Sequence, residues 1–70
     1  MISYEPLFRT MKRKGISSYR LGKMGFPMSN YHAMRNGKNV STHTLDILCE
    51  LLDCEVSDII EHIKRPDGCE

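Results

Sequence analysis

The chain has 70 residues, with 10 Lys and Arg against 9 Asp and Glu and a formal net charge of +1 at pH 7. A chain of this length forms one small domain, which buries only about 60% of the surface that its unfolded form exposes. It contains no apolar run near the roughly 18 residues that span a bilayer, and its first residues lack the basic-then-apolar layout of a secretory signal. We therefore expect a cytoplasmic protein without a membrane segment.

The charge is divided unevenly along the chain. Residues 1–38 carry eight Lys and Arg against Glu5 alone, a net charge of +7, whereas residues 39–70 carry two basic against eight acidic residues, a net charge of −6. A basic half on a small domain is typical of a protein that binds a polyanion. Chance segregation on a solvated surface is the alternative reading of the charges alone.

The first predicted helix covers about residues 5–14. Pro6 is tolerated in a first helical turn, Leu7, Phe8 and Met11 have helical spacing, and Gly15 ends the helix. A second helix over about 18–24 follows the N-cap Ser17 and turns its apolar residues toward the same core.

A third helix is predicted over about residues 28–36. Gly25 breaks the chain before it, Phe26 points back to the core, and Pro27 starts the new helix. Tyr31 and Met34 are its inward residues, and the pair at 36–37, Asn then Gly, closes it with a left-handed cap.

The second half of the chain predicts two further helices. Ser41 caps a helix over about 42–52 with a broad apolar stripe, and Ser57 caps a short last helix that carries three isoleucines. Strands are not expected, because no segment alternates apolar and polar residues over more than four positions. The predicted fold is an all-α, compact, orthogonal five-helix bundle over residues 1–64, followed by a disordered tail over 65–70.

The three cysteines and three histidines show no pattern of a metal or catalytic site. Cys49 and Cys54 fall in or beside the apolar stripe of the fourth helix and are expected to be buried, reduced thiols, with Cys69 exposed in the tail. The histidines belong to different helices, and no nucleophile–base pair or phosphate-binding glycine loop is evident. We expect no enzyme activity, metal, cofactor or small-molecule ligand.

The second and third helices together have the size of a DNA-binding helix-turn-helix, about 20 residues from Ser17 to Asn36. In that motif the second helix of the pair enters the major groove while the first crosses the phosphate backbone.

An ordered set of residues over about 4–63 resembles the Cro/phage-repressor (XRE-like) family, in particular its short stand-alone members. The set is Ile16-Ser17-x-x-x-Leu21, Gly25-Phe26, Asn36-Gly37-Lys38, Ser41-x-x-Thr44-Leu45-x-x-Leu48-Cys49-x-x-Leu52-Asp53-Cys54 and Asp58-Ile59-Ile60. The resemblance implies a five-helix fold that binds operator DNA, commonly as a dimer. Two features depart from the family: the stretch from Leu21 to Gly25 is one residue shorter than usual, and Pro27 replaces a Ser or Thr cap.

The resemblance and helix geometry predict the contacts with double-stranded DNA. The candidates for base reading, on the outer face of the third helix, are Met28, Ser29, His32 and Ala33. The candidates for phosphate contact are Ser17, Ser18, Arg20, Asn36, Lys38 and Asn39, although the hydroxyl of Ser17 is also the expected helix cap.

The last helix is the candidate dimer contact. Ile59, Ile60 and Ile63 cannot all face inward on so short a helix, which predicts an exposed apolar patch for a homodimer unless the tail covers it. The leading functional hypothesis is a sequence-specific transcriptional regulator. The alternative is an adaptor or antitoxin-like module that binds a protein partner through its acidic half.

Overall fold

A computed structural model describes residues 1–64 as four α-helices, a short 3₁₀ turn and a two-stranded antiparallel ribbon that joins the two ends. The elements in chain order are β1 (Ile2–Ser3), α1 (Glu5–Lys14), α2 (Ser18–Lys23), α3 (Met28–Arg35), α4 (Thr42–Leu52), the 3₁₀ turn (Val56–Asp58) and β2 (Glu61–His62). The tail predicted over 65–70, with Cys69, lies outside the described residues. None of the helices over residues 1–64 has the length and apolar character to cross a membrane.

Local sequence signals set the helix ends. The bounds predicted for α1 and α4 are confirmed, while α2 and α3 each end one residue earlier than predicted, at Lys23 and Arg35, followed by the C-caps Met24 and Asn36. The hydroxyls of Ser17 and Ser41 accept backbone N–H groups of the first turns of α2 and α4, at 3.1 and 3.2 Å. Capping of this kind stabilises a helix by about 1 kcal/mol.

The predicted fifth helix is wrong. Only Val56–Asp58 is helical there, as a 3₁₀ turn, and its cap is Glu55 rather than Ser57. The backbone N–H of Glu55 donates to the Asp58 carboxylate at 3.1 Å, and the Glu55 side chain accepts from the Asp58 backbone in return. Ile59 is the C-cap of the turn, with φ −117° and ψ −46°, and the helix does not continue because the chain from Glu61 pairs with β1 as β2.

The prediction of no strands is also wrong. Ile2 lies opposite His62 and Ser3 opposite Glu61 in the antiparallel ribbon. Beyond the paired residues, the Met1 amino group donates to the Ile63 carbonyl at 2.8 Å, and the Ile63 N–H donates to the Met1 carbonyl at 2.8 Å. The ribbon therefore fastens both ends of the described chain to each other.

The core lies between the four helices and the chain after the 3₁₀ turn. Its buried apolar side chains are Tyr4, Leu7, Met11, Leu21, Phe26, Met34, Leu48, Leu52 and Ile59. Thr10 is also buried, and its hydroxyl donates to the Asp58 carbonyl at 2.7 Å, which joins α1 to the 3₁₀ turn.

The two cysteines in the described chain pack against this core without being fully buried. Cys49 is near the end of α4, and Cys54 follows the left-handed cap Asp53, donating its N–H to the Cys49 carbonyl at 3.1 Å. Partial burial raises the pKa of the Cys49 thiol, and the neighbouring Asp46 raises it further. The prediction that both thiols are buried in the core is therefore confirmed only in part, because each is half-buried.

Candidate nucleic-acid interface

The helix-turn-helix is formed by α2, a four-residue turn and α3. Gly25 in the turn has φ +104°, a conformation that other residues rarely adopt, and the N–H of Phe26 returns to the Leu21 carbonyl at 3.3 Å. Gly22 permits the two helices to approach closely, because a Cβ at that position would lie 3.0 Å from the Met28 sulfur. The short turn is therefore compatible with a compact helix pair.

The four base-reading candidates differ in exposure. Ser29 and His32 are exposed, whereas Met28 and Ala33 are half-buried. Met34 is buried on the inner side of α3, as predicted. The outward face thus offers a hydroxyl and an imidazole to a ligand, flanked by small or flexible apolar groups.

The inner side of α3 is fastened to α1 and α4. Tyr31 is half-buried and packs edge-on against Phe8 of α1, with 6.2 Å between ring centroids. The amide of Asn30 donates to the hydroxyl of Thr44 in α4 at 3.4 Å. Sequence reasoning missed Asn30, since the spacing of polar residues does not show which helix lies opposite. These contacts set the direction in which Ser29 and His32 project.

The phosphate candidates of α2 are at its first turn. Ser17 caps the helix through its hydroxyl, which accepts the N–H of Arg20, so the structural role predicted for it is confirmed. Ser18 is half-buried and the Arg20 side chain is exposed. All three lie at the end of α2 that follows α1.

The other phosphate candidates follow α3. The Asn36 amide donates to the His32 carbonyl at 3.0 Å, which engages one of its donors within the helix end. Lys38 has an exposed side chain but a fixed backbone, because its carbonyl accepts the buried Tyr4 hydroxyl at 2.7 Å and its N–H donates to the Ala33 carbonyl at 2.8 Å. Asn39 is exposed. The Lys38 ammonium is thus presented from a rigid loop.

Cations of the basic half are largely free of carboxylates. Within residues 1–64 one ion pair is found, between Arg9 and Glu61 at 3.8 Å, and both side chains are substantially exposed. Two other cations lie over aromatic rings, with Lys23 at 5.6 Å from the Tyr19 centroid and Arg35 at 5.0 Å from the Phe8 centroid. The positive charge is therefore available to an external anion.

The proposed dimer set is only partly accessible. Ile59 is fully buried, because the chain leaves the 3₁₀ turn with this side chain directed into the core, so it is excluded as a contact. Ile60 is half-buried and Ile63 is 40% exposed. Ile63 is joined by hydrogen bonds to Met1, which is exposed like its neighbour Ile2.

The described residues contain no cluster of three or more His, Cys, Asp or Glu side chains that could hold a metal ion. The geometry instead presents one helix face, a rigid basic loop and the first turn of another helix.

Comparison with known proteins agrees with this geometry. Residues 7–65 match the family model of the Cro/C1-type HTH DNA-binding domain. Among solved structures, the crystal structure of the transcriptional regulator VanUg superposes with a TM-score of 0.80 at 28% sequence identity, over 91% of this chain and 87% of that one. No curated protein sequence matches significantly.

Proposed function

The chain belongs to the Cro/C1-type helix-turn-helix DNA-binding family, and on that premise we propose that it is a sequence-specific transcriptional regulator that reads the major groove with α3. The eight residues of α3 span about 12 Å at 1.5 Å per residue, similar to the width of about 12 Å of the major groove. The single observation that carries the proposal is the exposure of Ser29 and His32 on a helix whose other side is fixed to α1 and α4.

The two exposed polar residues have different reach into a groove. Ser29 is in the first turn of α3 and His32 one turn later, the positions from which a recognition helix contacts base edges. Met28 and Ala33 flank them and suit contact with a thymine methyl group. Lys38 and Asn39, after α3, and Ser18 and Arg20, in α2, then position the helix through phosphates.

We propose that the protein acts as a homodimer on two half-sites. One helix reads only a few base pairs, and paired half-sites about 34 Å apart supply the remaining specificity. Such a regulator works in the compartment that holds the genomic DNA.

The test compares two variants on two duplexes. The first duplex is enriched from a random pool by the wild-type protein, and is called the selected duplex below; the second has a random sequence. His32→Ala should weaken binding to the selected duplex by about 1–3 kcal/mol and leave binding to the random one nearly unchanged. Lys38→Ala should weaken both alike and reduce the slope of log affinity against log salt by about one.

Equal losses on both duplexes for His32→Ala would assign His32 to the backbone, and an unchanged slope for Lys38→Ala would place Lys38 away from the DNA. If the wild-type protein retains no duplex at any salt concentration, the proposed function is wrong and an adaptor role through the acidic half takes its place.

A further inference from the structure

A cleft of about 230 Å³ opens where α1, the start of α2 and the end of α3 meet. The polar groups that line it are Lys12 from α1, Ser17 and Ser18 from the start of α2, and Arg35 from the last turn of α3. Phe8 and Tyr31 form much of its apolar wall, and no acidic residue lines it.

Arg35 is held at the cleft by stacking. Its guanidinium carbon lies 5.0 Å from the centroid of the Phe8 ring, and Phe8 in turn meets Tyr31 edge-on at 6.2 Å. A guanidinium stacked on a ring face keeps its N–H donors free at the edge. Since the one ion pair within residues 1–64 joins Arg9 and Glu61, neither Lys12 nor Arg35 has a carboxylate within 4.0 Å there.

Two unpaired cations from different helices beside two hydroxyls form a site for an anion. Guanidinium and ammonium groups both bind phosphate oxygens strongly. In a helix-turn-helix, the first helix of the motif crosses the DNA backbone, and this cleft is at the start of that helix. The basic charge of residues 1–38 complements the same ligand.

We infer that this cleft, the α1–α3 clamp, binds one backbone phosphate of DNA through Lys12 and Arg35. The inference rests on the proposed function and adds two contacts that the sequence analysis did not assign. Because Phe8 and Tyr31 connect α1 with α3 behind the phosphate, the clamp fixes the orientation of the recognition helix on the duplex. It carries no base preference of its own.

The experiment measures affinity by fluorescence anisotropy for the selected and the random duplex, between roughly 50 and 200 mM salt. Lys12→Gln and Arg35→Gln should each lower affinity about tenfold on both duplexes and reduce the salt slope by about 0.9. The matched control is Arg13→Gln, which removes the same charge from an exposed position of α1 outside the cleft, and it should leave the slope unchanged.

A second measurement identifies the phosphate. Single phosphates of the selected duplex are replaced, one at a time, by neutral methylphosphonates. At one position the replacement should lower the affinity of the wild-type protein but should not lower the affinity of Arg35→Gln any further. Inorganic phosphate at constant ionic strength should weaken the wild-type complex only at high concentration, and Arg35→Gln should remove this competition, because both ligands use the cleft. Inorganic phosphate that binds the wild-type cleft without weakening duplex binding would assign the cleft to a free phosphate compound and overturn the inference.

Failure of the clamp and failure of the proposed function give different results. If the wild-type protein binds no duplex, both are wrong. If it binds and the two cleft variants behave like Arg13→Gln, only the clamp is wrong. Melting curves monitor folding, and Arg35→Lys supplies a second variant: it keeps the charge, so the salt slope should remain at the wild-type value even if Arg35→Gln unfolds. A slope reduced by Arg35→Lys as much as by Arg35→Gln would contradict the clamp.

Discussion

The close approach of Met28 to Gly22 shows how a single residue affects the position of α3, the proposed recognition helix. The absence of a side chain at Gly22 leaves room for the Met28 thioether, because a Cβ at position 22 would lie only 3.0 Å from the Met28 sulfur. Sequence reasoning identified Met28 as a base-reading candidate but assigned no role to Gly22. A glycine within a helical pattern indicates that another group of the protein approaches closely, but the pattern does not identify that group.

Gly22→Ala should separate stability from recognition. Alanine favours the helix by about 0.8–1 kcal/mol over glycine, and the flexible Met28 side chain can move aside, so the melting temperature should stay the same or rise. Affinity for the selected duplex should fall because Met28 is displaced, while affinity for the random duplex should hold.

The matched control for this substitution is Gly25→Ala. Nothing lies within 4 Å of a Cβ at Gly25, but its φ of +104° strains any other residue, by about 1–3 kcal/mol. Its melting temperature should therefore fall. If the melting temperature of Gly22→Ala falls as much as that of Gly25→Ala, the Met28 side chain does not move aside to make room for the new methyl group.

At the scale of elements, the four α-helices could be predicted because their signals are local. Ser17, Ser41 and Gly15 are end signals that depend on a few neighbouring residues, and they limit α1, α2 and α4 as expected. The ribbon could not be predicted, since it pairs two-residue strands about sixty positions apart that are too short to show alternation. The 3₁₀ turn was missed for a related reason, because Ile59 fits a helix locally and the core position it occupies is a tertiary effect.

Leu48→Ala should unfold or nearly unfold the domain. Leu48 is fully buried in α4, and removing a buried leucine costs about 2–5 kcal/mol, comparable with the total stability of so small a protein. Leu51→Ala, on the same helix but half-buried, should lower the melting temperature less. Thermal melting followed by circular dichroism measures both, and a shift of only a few degrees for Leu48→Ala would show that α4 is not the centre of the core.

At the scale of the whole molecule, exposed apolar side chains gather where the ribbon joins the chain ends. The exposed apolar side chains of Met1, Ile2 and Ile63 lie at the joined chain ends, whereas the base-reading candidates are on α3. The sequence predicted apolar exposure near the last isoleucines, but it could not show that Ile59 is buried or that residues from the first strand join the patch. Met1 and Ile2 line one cleft with Met34 and Arg35, so the patch borders the end of α3, while Ser29 and His32 are not among the residues of that cleft.

Ile63→Glu should therefore weaken dimerisation. The charge would be placed in the exposed apolar patch, where a second copy is expected to pack. Val56→Glu is the matched control, since Val56 is 48% exposed on the 3₁₀ turn and is not part of the ribbon. Sedimentation velocity of the free protein and of its complex with the selected duplex distinguishes the cases. A monomer in both states, or a dimer that persists in Ile63→Glu, would exclude this surface.

Reading of the major groove by α3 is tested most directly by removing purine N7 atoms from the selected duplex. Replacing its purines with 7-deaza analogues deletes acceptors of the major groove and leaves the minor-groove edge intact, whereas 3-deaza analogues do the reverse for adenine. We predict that 7-deaza substitution lowers affinity toward that of the random duplex and that 3-deazaadenine has little effect. Unchanged affinity with 7-deaza purines, together with a loss with 3-deazaadenine, would contradict major-groove reading by α3.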